Sequence, residues 1–379
     1  MKIGFITPFF SPVAGGSAKG PYYLAKYLVK KGHEVLIFTS NFGRNLAKFP
    51  DEKDLAIIES KIELKMFNLF YTSSLRSELE SSNKLDILHL HNFRTYQNYV
   101  AYSYAKRTNT PYILQAHGSI PRIGKKELKW LYDVFFGYRL LRDASKVIAL
   151  TQVETDQYRH MGVSEEKIAI IPNGIDLSEY AELPPKGSFK KKFNIPEDRK
   201  IILYLGRIHK TKGIDLLVRA YAHLKNEMRC RDVVLVIAGP DDGYLSEAKA
   251  LANSLGVYNS VMFTGFISSE DKLMALVDAE VFVTPSFYGF PITFLEACSV
   301  GTPLVTTSLG NTLEWIDRNV GYVAQPTPRD LAEAIYRIIS DDELRRRFSK
   351  NCIEIVNSEF SIEKVVRKLE KVYEEAVRR

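Results

Sequence analysis

The amino-acid sequence predicts an α/β protein built from two doubly wound domains, each with a parallel sheet. The chain has 379 residues, which is long for a single hydrophobic core. Short apolar runs alternate with amphipathic helical segments along the whole chain. The runs are apolar on both faces, which is typical of parallel strands covered by helices on either side.

The predicted strands fall into two series, one in each half of the chain. The first series is KIGFITPF, EVLIFTS, DILHLH, PYILQAHG, KVIALT and KIAIIPNG. The second series is KIILYLGRI, DVVLVIAGP, SVMFTGF, EVFVTPS and TPLVTT. Residues 177–200, with Pro184, Pro185 and a basic run, are interpreted as the linker. We therefore predict domains at residues 1–180 and 181–358, and a final helix at 359–379.

Composition indicates a cytoplasmic globular protein. Hydrophobic residues make up 45% of the chain and charged residues 26%. The apolar runs are all too short for a membrane span, and the N-terminus lacks the pattern of a secretory signal. Cys230, Cys298 and Cys352 are too widely spaced for a disulfide framework or a zinc site.

The positive charge is concentrated in the first half. The chain has a net charge of +7, and residues 1–176, with 24 Lys+Arg against 17 Asp+Glu, carry all of it. This excess either serves solubility or indicates an acidic partner, such as a phospholipid surface or a phosphorylated acceptor. Residues 122–142 combine basic and aromatic side chains, which predicts peripheral contact with an anionic membrane. The alternative is an amphipathic helix whose aromatic side chains pack into the first domain.

Ligands of parallel sheets bind beyond the carboxyl ends of the strands. After the strand IILYLG, Arg207 and Lys212 are two cations suited to a diphosphate, although a solvated basic turn is an equal alternative. After EVFVTPS, Gly289 and Pro291 predict a tight turn and then a helix, which begins near Ile292 or Thr293 and is ended by Gly301.

Glu296 is predicted to lie in the first turn of that helix. A carboxylate there complements the helix dipole, which is its structural interpretation. It is also placed to accept hydrogen bonds from the vicinal hydroxyls of a ribose. The backbone N–H groups at the helix start can bind an anion without any side chain. Together these groups predict a site for a nucleotide diphosphate.

In the first domain, Gly15 and Gly16 follow the first strand and allow close approach of a ligand. They do not form the glycine fingerprint of dinucleotide-binding folds, which disfavours an NAD-dependent dehydrogenase. His91 and His117 end two predicted strands, and His89 is interpreted as structural. The three histidines lack the partner spacing of metal ligands, so no metal is expected.

Taken in order, these pieces resemble the retaining glycosyltransferases of family 4, which have the two-domain GT-B fold. The resemblance covers nearly the whole chain. It rests on the Gly-Gly loop, GHEV, QAHG, VIALT, PNGID, GRIHKTKGIDLL, VIAGP, FTGF and GFPITFLEACSVGTPLVTT. In such proteins the N-terminal domain holds the acceptor, the C-terminal domain holds the nucleotide sugar, and the active site is the deep cleft that the two Rossmann-like domains face.

The resemblance implies transfer of a hexosyl group from a UDP- or GDP-sugar to a saccharide or lipid-linked acceptor. No nucleic acid partner, metal or other cofactor is implied. His117, Arg207, Lys212 and Glu296 are the implied catalytic residues. The implied donor contacts also include Gly15, Gly16, Gly265, Phe266, Gly289, Phe290, Pro291, Ile292 and Thr293. His91, Asn92 and Asn173 are candidates on the acceptor side.

One position departs from the family pattern of two glutamates separated by seven residues. Glu296 is the second glutamate, and Tyr288 stands in the place of the first, which normally faces the donor sugar. Two alternatives therefore remain open. One is a sugar-nucleotide epimerase, which shares the two-domain architecture. The other is a weakly active or non-catalytic binder of nucleotide sugars. A turnover assay with and without acceptor separates them.

Overall fold

A computed structural model of the chain describes residues 1–50, 52–66, 69–310 and 313–378. It divides the chain into two units. Unit 1 comprises Met1–Gly174 and Phe360–Arg379, and unit 2 comprises Ile175–Glu359. Each unit contains its own parallel sheet with helices packed against it. The predicted class, two doubly wound α/β domains, is confirmed.

The strands are numbered in chain order. They are β1 (Lys2–Ile6), β2 (Glu34–Ser40), β3 (Ala56–Ser60), β4 (Leu64–Met66), β5 (Leu69–Tyr71), β6 (Ile87–His91), β7 (Tyr112–Gln115), β8 (Lys146–Ala149), β9 (Ile168–Ile170), β10 (Lys200–Leu205), β11 (Val233–Ala238), β12 (Val261–Gly265), β13 (Ala279–Phe287), β14 (Leu304–Gly310) and β15 (Gly321–Ala324). Every predicted strand overlaps one of these. The prediction misses β3, β4, β5 and β15, because these strands have only three to five residues each.

The α-helices are numbered in the same way. They are α1 (Gly16–Lys30), α2 (Leu75–Ser81), α3 (Tyr96–Thr108), α4 (Lys126–Tyr132), α5 (Tyr138–Asp143), α6 (Gln152–His160), α7 (Ser188–Lys192), α8 (Ile214–Asn226), α9 (Leu245–Ser254), α10 (Ser269–Asp278), α11 (Ile292–Ser299), α12 (Pro328–Ser340), α13 (Asp342–Ile355) and α14 (Ile362–Val377). A π-helical turn, Asp133–Gly137, joins α4 to α5.

The main sheet of unit 1 has the strand order β3-β2-β1-β6-β7-β8-β9, and all neighbouring strands are parallel. The chain builds the sheet outward from β1 in one direction and then from β6 in the other. The topological switch point therefore lies between β1 and β6. Since Ile6 pairs with Leu90, the two strands end at the same edge, where a ligand of a doubly wound sheet binds.

The final helix, α14, packs within unit 1 against α1, β6 and β7. Its buried residues recur at spacings of three and four, as in an amphipathic helix with one apolar face. They are Ile362, Val365, Val366, Leu369, Val372, Tyr373 and Ala376. Tyr373 is fully buried, and its hydroxyl lies 2.8 Å from Nδ1 of His89.

The sheet of unit 2 has the order β12-β11-β10-β13-β14-β15, again all parallel. Its switch point lies between β10 and β13. The pairs Leu205↔Ala238 and Ala238↔Gly265 show that β10, β11 and β12 end at one edge. β13 is the other neighbour of β10, pairing through Leu203↔Phe282, and it contacts the turn Lys210–Lys212 that follows β10.

Part of residues 177–200, the segment interpreted as the linker, is folded onto unit 2. The buried carboxylate of Asp278 accepts hydrogen bonds from the backbone N–H groups of Gly187 (2.5 Å) and Lys190 (3.0 Å). Phe189 is fully buried beside them. The prolines and lysines of this segment predicted an exposed connection. Instead, the buried Asp278 carboxylate and the buried Phe189 ring hold residues 187–190 against unit 2.

Candidate active site

The turn after β10 places two cations at the switch point of unit 2. Arg207 is 62% exposed and forms an ion pair with Asp242. Lys212 is half-buried, and burial, with a smaller effect of Arg207, lowers the pKa of its ammonium group. Gly213, at φ +69°, approaches β13 so closely that an added Cβ would lie 2.9 Å from the Cβ of Pro285. The cationic turn is therefore packed against the end of the neighbouring strand.

The turn after β13 leads into α11 as predicted. Gly289 has φ +69°, a left-handed conformation that favours glycine. Pro291 caps α11, which begins at Ile292. The first N–H groups of a helix have no acceptor within that helix, so this start can receive an anion. Gly301, at φ +79°, ends the helix, and Thr302 N–H donates to Ala297 O (2.9 Å).

Glu296 lies in the second turn of α11, so the prediction that places it in the first turn is wrong. It is the fifth helical residue, and the effect of the helix dipole is confined to the first turn. Its carboxylate is 2% exposed, and Lys272 Nζ lies 2.6 Å from Oε1. Tyr180 also hydrogen-bonds to this carboxylate, and burial together with Glu296 raises the pKa of the Tyr180 phenol.

Three further predicted donor contacts lie at or just after the carboxyl ends of β12 and β13. Gly265 ends β12 at φ +70°, and its carbonyl accepts a hydrogen bond from Gly239 N–H (2.8 Å). Phe266 follows and is 80% exposed, so its ring is available to a flat ligand group. Phe290, in contrast, is buried and stacks on Trp315 with a centroid distance of 6.0 Å. Phe290 therefore holds the turn in place through packing.

The corresponding edge of unit 1 carries the other predicted residues. Gly15 has φ +65° and joins a short 3₁₀ turn to Gly16, the first residue of α1. His91 is the last residue of β6 and is fully buried. Asn92 follows at φ +67°, and its N–H donates to Gln115 O (2.9 Å). Asn173 is 8% exposed and lines a cavity of about 10 Å³ beside α14.

His117 lies just beyond β7 in a left-handed conformation, φ +52°. Its Nε2 lies 3.0 Å from Nδ1 of His91, and the two rings stack at 5.3 Å. Burial lowers the pKa of His117 to about 4, and burial also lowers the pKa of both His89 and His91. All three imidazoles are therefore neutral near pH 7.

These histidines do not form a metal-binding group. Among the described residues, no cluster of three or more His, Cys, Asp or Glu side chains could hold a metal ion. Over the same residues, no helix is long and apolar enough to cross a membrane.

Two family models and one relative decide the family. The model of the glycosyl transferases group 1 matches residues 185–354, and the model of glycosyltransferase family 4 matches residues 14–179. The "Putative glycosyltransferase YtcC" of Bacillus subtilis is 30% identical, over 80% of this chain and 76% of YtcC. The chain belongs to the family 4 glycosyltransferases. It is an enzyme that transfers a glycosyl group from a nucleotide sugar.

Two further similarities extend over whole chains. The uncharacterized glycosyltransferase MJ1607 of Methanocaldococcus jannaschii is 27% identical, over 100% of this glycosyltransferase and 99% of MJ1607. The crystal structure of Anabaena Alr3699/HepE in complex with UDP and glucose superposes with a TM-score of 0.80 at 18% identity, covering 99% of each chain. This structural likeness confirms the GT-B fold.

The structure adds residues that the sequence did not indicate as functional. Lys272 and Tyr180 hold the Glu296 carboxylate, and neither stands in a recognisable pattern. Glu154 accepts two backbone hydrogen bonds next to His117. The position of Glu154 could have been noticed in the sequence, because Thr151 and Glu154 have the spacing of a helix-capping box at the start of α6.

Proposed function

We propose that this glycosyltransferase transfers a hexosyl group from a UDP-sugar, with retention of anomeric configuration and without a metal ion. The observation that carries the proposal is the arrangement at the switch point of unit 2. There Arg207 and Lys212 follow one strand, and the start of α11 and Glu296 follow its neighbour. UDP is preferred over GDP because Alr3699/HepE, which shares the fold, binds UDP and glucose.

The two cations suit different parts of a diphosphate. The Arg207 guanidinium is exposed and can make a bidentate contact with phosphate oxygens. The Lys212 ammonium is half-buried and acts as a point charge in a less polar environment. Burial lowers the pKa of this ammonium group, because the charged form loses solvation that needs compensation. A bound diphosphate would supply that compensation.

In the proposed reaction the bond between C1 of the sugar and the β-phosphate oxygen breaks. An acceptor hydroxyl oxygen forms the new bond to C1 on the same face, and its proton passes to the departing phosphate. Negative charge grows on the diphosphate as the bond breaks, so Arg207, Lys212 and the start of α11 stabilise the transition state. These groups do the work that a divalent cation does in other transferases. His117 is proposed to contact the donor sugar.

Tyr288 bears on donor choice. It is the first residue after β13, is 42% exposed, and stands where the family pattern has a glutamate. The sugar contact is therefore proposed to come from the backbone of residues 289–293. The family assignment favours transfer over the epimerase and over the non-catalytic binder.

We further propose that the acceptor is a saccharide or a lipid-linked saccharide that the enzyme meets at an anionic membrane. The alternative, that the aromatic side chains of residues 122–142 pack into the first domain, is wrong for most of them. Trp130 is 51% exposed and Phe135 61% exposed. Several cations accompany them, including Lys126 and Arg139. Exposed aromatic and basic side chains on one segment fit a membrane interface.

A buried ion pair attaches residues 122–142 to the rest of unit 1. The fully buried carboxylate of Asp133 accepts hydrogen bonds from Nε of Arg94 and Nε of Arg122, each at 2.7 Å. A buried ion pair of this kind holds the backbone of the π-helical turn in one position. The exposed aromatic side chains are therefore presented outward by a rigid support.

A transfer assay tests the proposal. The purified enzyme is given UDP-, GDP- and ADP-sugars with and without a lipid-linked acceptor, in the presence of EDTA. We expect transfer from a UDP-sugar that EDTA leaves unchanged and a product whose anomeric NMR coupling matches the donor. Inversion, a need for a divalent cation, or turnover without acceptor would each contradict one element of the proposal.

A further inference from the structure

The backbone around His117 is held by two side chains of α6. The last pair between β7 and β8 is Gln115↔Ile148, so the N–H of Ala116 needs another acceptor. The Tyr158 hydroxyl accepts from Ala116 N–H (3.0 Å) and donates to Ile148 O (3.2 Å). These two bonds secure the residue immediately before His117.

Glu154 holds Gly118, the residue immediately after His117. One carboxylate oxygen accepts from Gly118 N–H and the other from Leu150 N–H, both at 2.7 Å. Glu154 is 1% exposed and lies four residues before Tyr158, so both side chains leave the same face of α6. His117 and Gly118, at φ +52° and +78°, thus form a left-handed turn fixed from both sides.

The imidazole of His117 is oriented by His91. His91 Nδ1 and His117 Nε2 lie 3.0 Å apart, and His91 Nε2 is buried with no hydrogen-bond partner among the described residues. A buried N–H without an acceptor costs more than a buried lone pair without a donor. His91 therefore carries its proton on Nδ1 and donates to His117. Neutral His117 then carries its own proton on Nδ1.

We propose that Glu154 and His91 are positioning residues that present the Nδ1–H of neutral His117 to a hydroxyl oxygen of the donor sugar. The inference rests on the proposed function, in which His117 contacts that sugar. It adds that Nδ1 of His117 is the donor to the sugar, and that Glu154 and His91 determine this protonation and orientation. Glu154 fixes the backbone turn, and His91 fixes the ring and its tautomer.

The first measurement needs no activity. In enzyme labelled with ¹⁵N-histidine, NMR reports which ring nitrogen of His117 is protonated and the pH at which the ring titrates. We expect the Nδ1–H tautomer in the wild type. In Glu154→Gln, where an amide NH₂ faces a backbone N–H, we expect a mixture of tautomers and a pKa closer to 6.5. An Nε2–H tautomer in the wild type would overturn the inference, as would unchanged His117 signals in the variant.

The second measurement is steady-state kinetics. A misplaced catalytic group costs on the order of 10²-fold in rate. We expect Glu154→Gln to lower kcat by that order while KM for the donor changes less than threefold. Glu333→Gln, in an exposed ion pair with Arg329, is the matched control and should behave as wild type. Should Glu154→Gln fail to fold, Glu154→Asp keeps the charge and takes its place.

His91 offers a rescue test. The amide nitrogen of asparagine lies near the position of Nδ1, so His91→Asn keeps a donor toward His117, whereas His91→Leu removes it. We expect His91→Asn to retain at least tenfold more kcat than His91→Leu, and equal losses would remove His91 from the proposal. If the wild type transfers no sugar but His117 behaves as described, the proposed function fails and the positioning by Glu154 and His91 stands.

Discussion

Lys272 Nζ lies 2.6 Å from Oε1 of Glu296, and Glu296 is buried at the switch point of unit 2. The carboxylate proposed to hold the ribose is therefore held by a cation from α10, the helix that follows Gly265 and Phe266. A buried carboxylate without such a partner would cost several kcal/mol. The ion pair holds the Glu296 carboxylate in one orientation.

Replacing one member of this pair should destabilise the enzyme more than replacing both. Lys272→Met leaves the Glu296 charge buried and should lower the free energy of unfolding by about 3 kcal/mol. Adding Glu296→Gln removes the stranded charge and should recover at least about 1 kcal/mol. Urea titrations of the two single variants and the double variant give the coupling. Strictly additive losses would show that the two side chains do not interact.

Removing either diphosphate cation should impair catalysis and leave the fold intact. Arg207→Ala or Lys212→Ala takes away a charged contact to the leaving group, and we expect turnover to fall by roughly 10²-fold or more. Lys210→Ala is the matched control, because Lys210 is an exposed cation in the same short turn. Normal turnover in both site variants would rule out this assignment. Circular dichroism checks that each variant is folded.

Replacing Tyr288 and inserting a residue after it should affect the enzyme differently. Tyr288 is exposed, so Tyr288→Glu should leave the melting temperature unchanged and alter the choice or rate of donor turnover. Inserting a glutamate between Tyr288 and Gly289 should lower activity, since Gly289 is buried at φ +69° and Phe290 is packed on Trp315. If neither change alters donor use, position 288 does not face the sugar.

Binding to anionic vesicles should depend on salt and on the exposed aromatic side chains. Each basic residue near such a surface contributes about 1 kcal/mol, and the attraction fades over a Debye length of about 8 Å at physiological salt. We expect co-sedimentation with anionic but not neutral vesicles at low salt, and loss of it in Trp130→Ser/Phe135→Ser. Tyr336→Ser removes an exposed aromatic side chain of unit 2 and is the control. If the protein stays in the supernatant with anionic vesicles at low salt, the proposed membrane contact is wrong.

Activity should fall on the acid side of neutrality because of Glu154. Burial raises the pKa of this carboxyl to about 7, and the neighbouring ionisable groups are Tyr158 and His117. Only the ionised form accepts both backbone hydrogen bonds, so kcat should decline below about pH 7 as Glu154 takes up a proton. The same raised pKa favours the folded state at low pH, because the buried charge is then neutralised. The decline of kcat below about pH 7 should be absent in Glu154→Gln. If the variant still shows this decline, another group causes it.

Much of the fold follows from local sequence. Runs such as EVLIFTS and DVVLVIAGP are apolar on both faces, which is enough to predict buried parallel strands, β2 and β11. Ligand groups follow the carboxyl ends of such strands, so Arg207, Lys212 and His117 could be named from their positions alone. The turn at Gly289 and Pro291 was likewise predictable, because few residues adopt those backbone angles.

Tertiary structure alone decided which side chains are partners. Lys272 and Glu296 are 24 residues apart, and His89 and Tyr373 are 284 apart, and no periodicity records such a pairing. The helical pattern of residues 122–142 was equally compatible with packed and with exposed aromatic side chains. Period and composition report how apolar a face is, whereas burial and ion pairing depend on which other element covers that face. The sequence by itself determined the two doubly wound sheets and the edges that carry the candidate site residues. Packing determined how Glu296 and His117 are held.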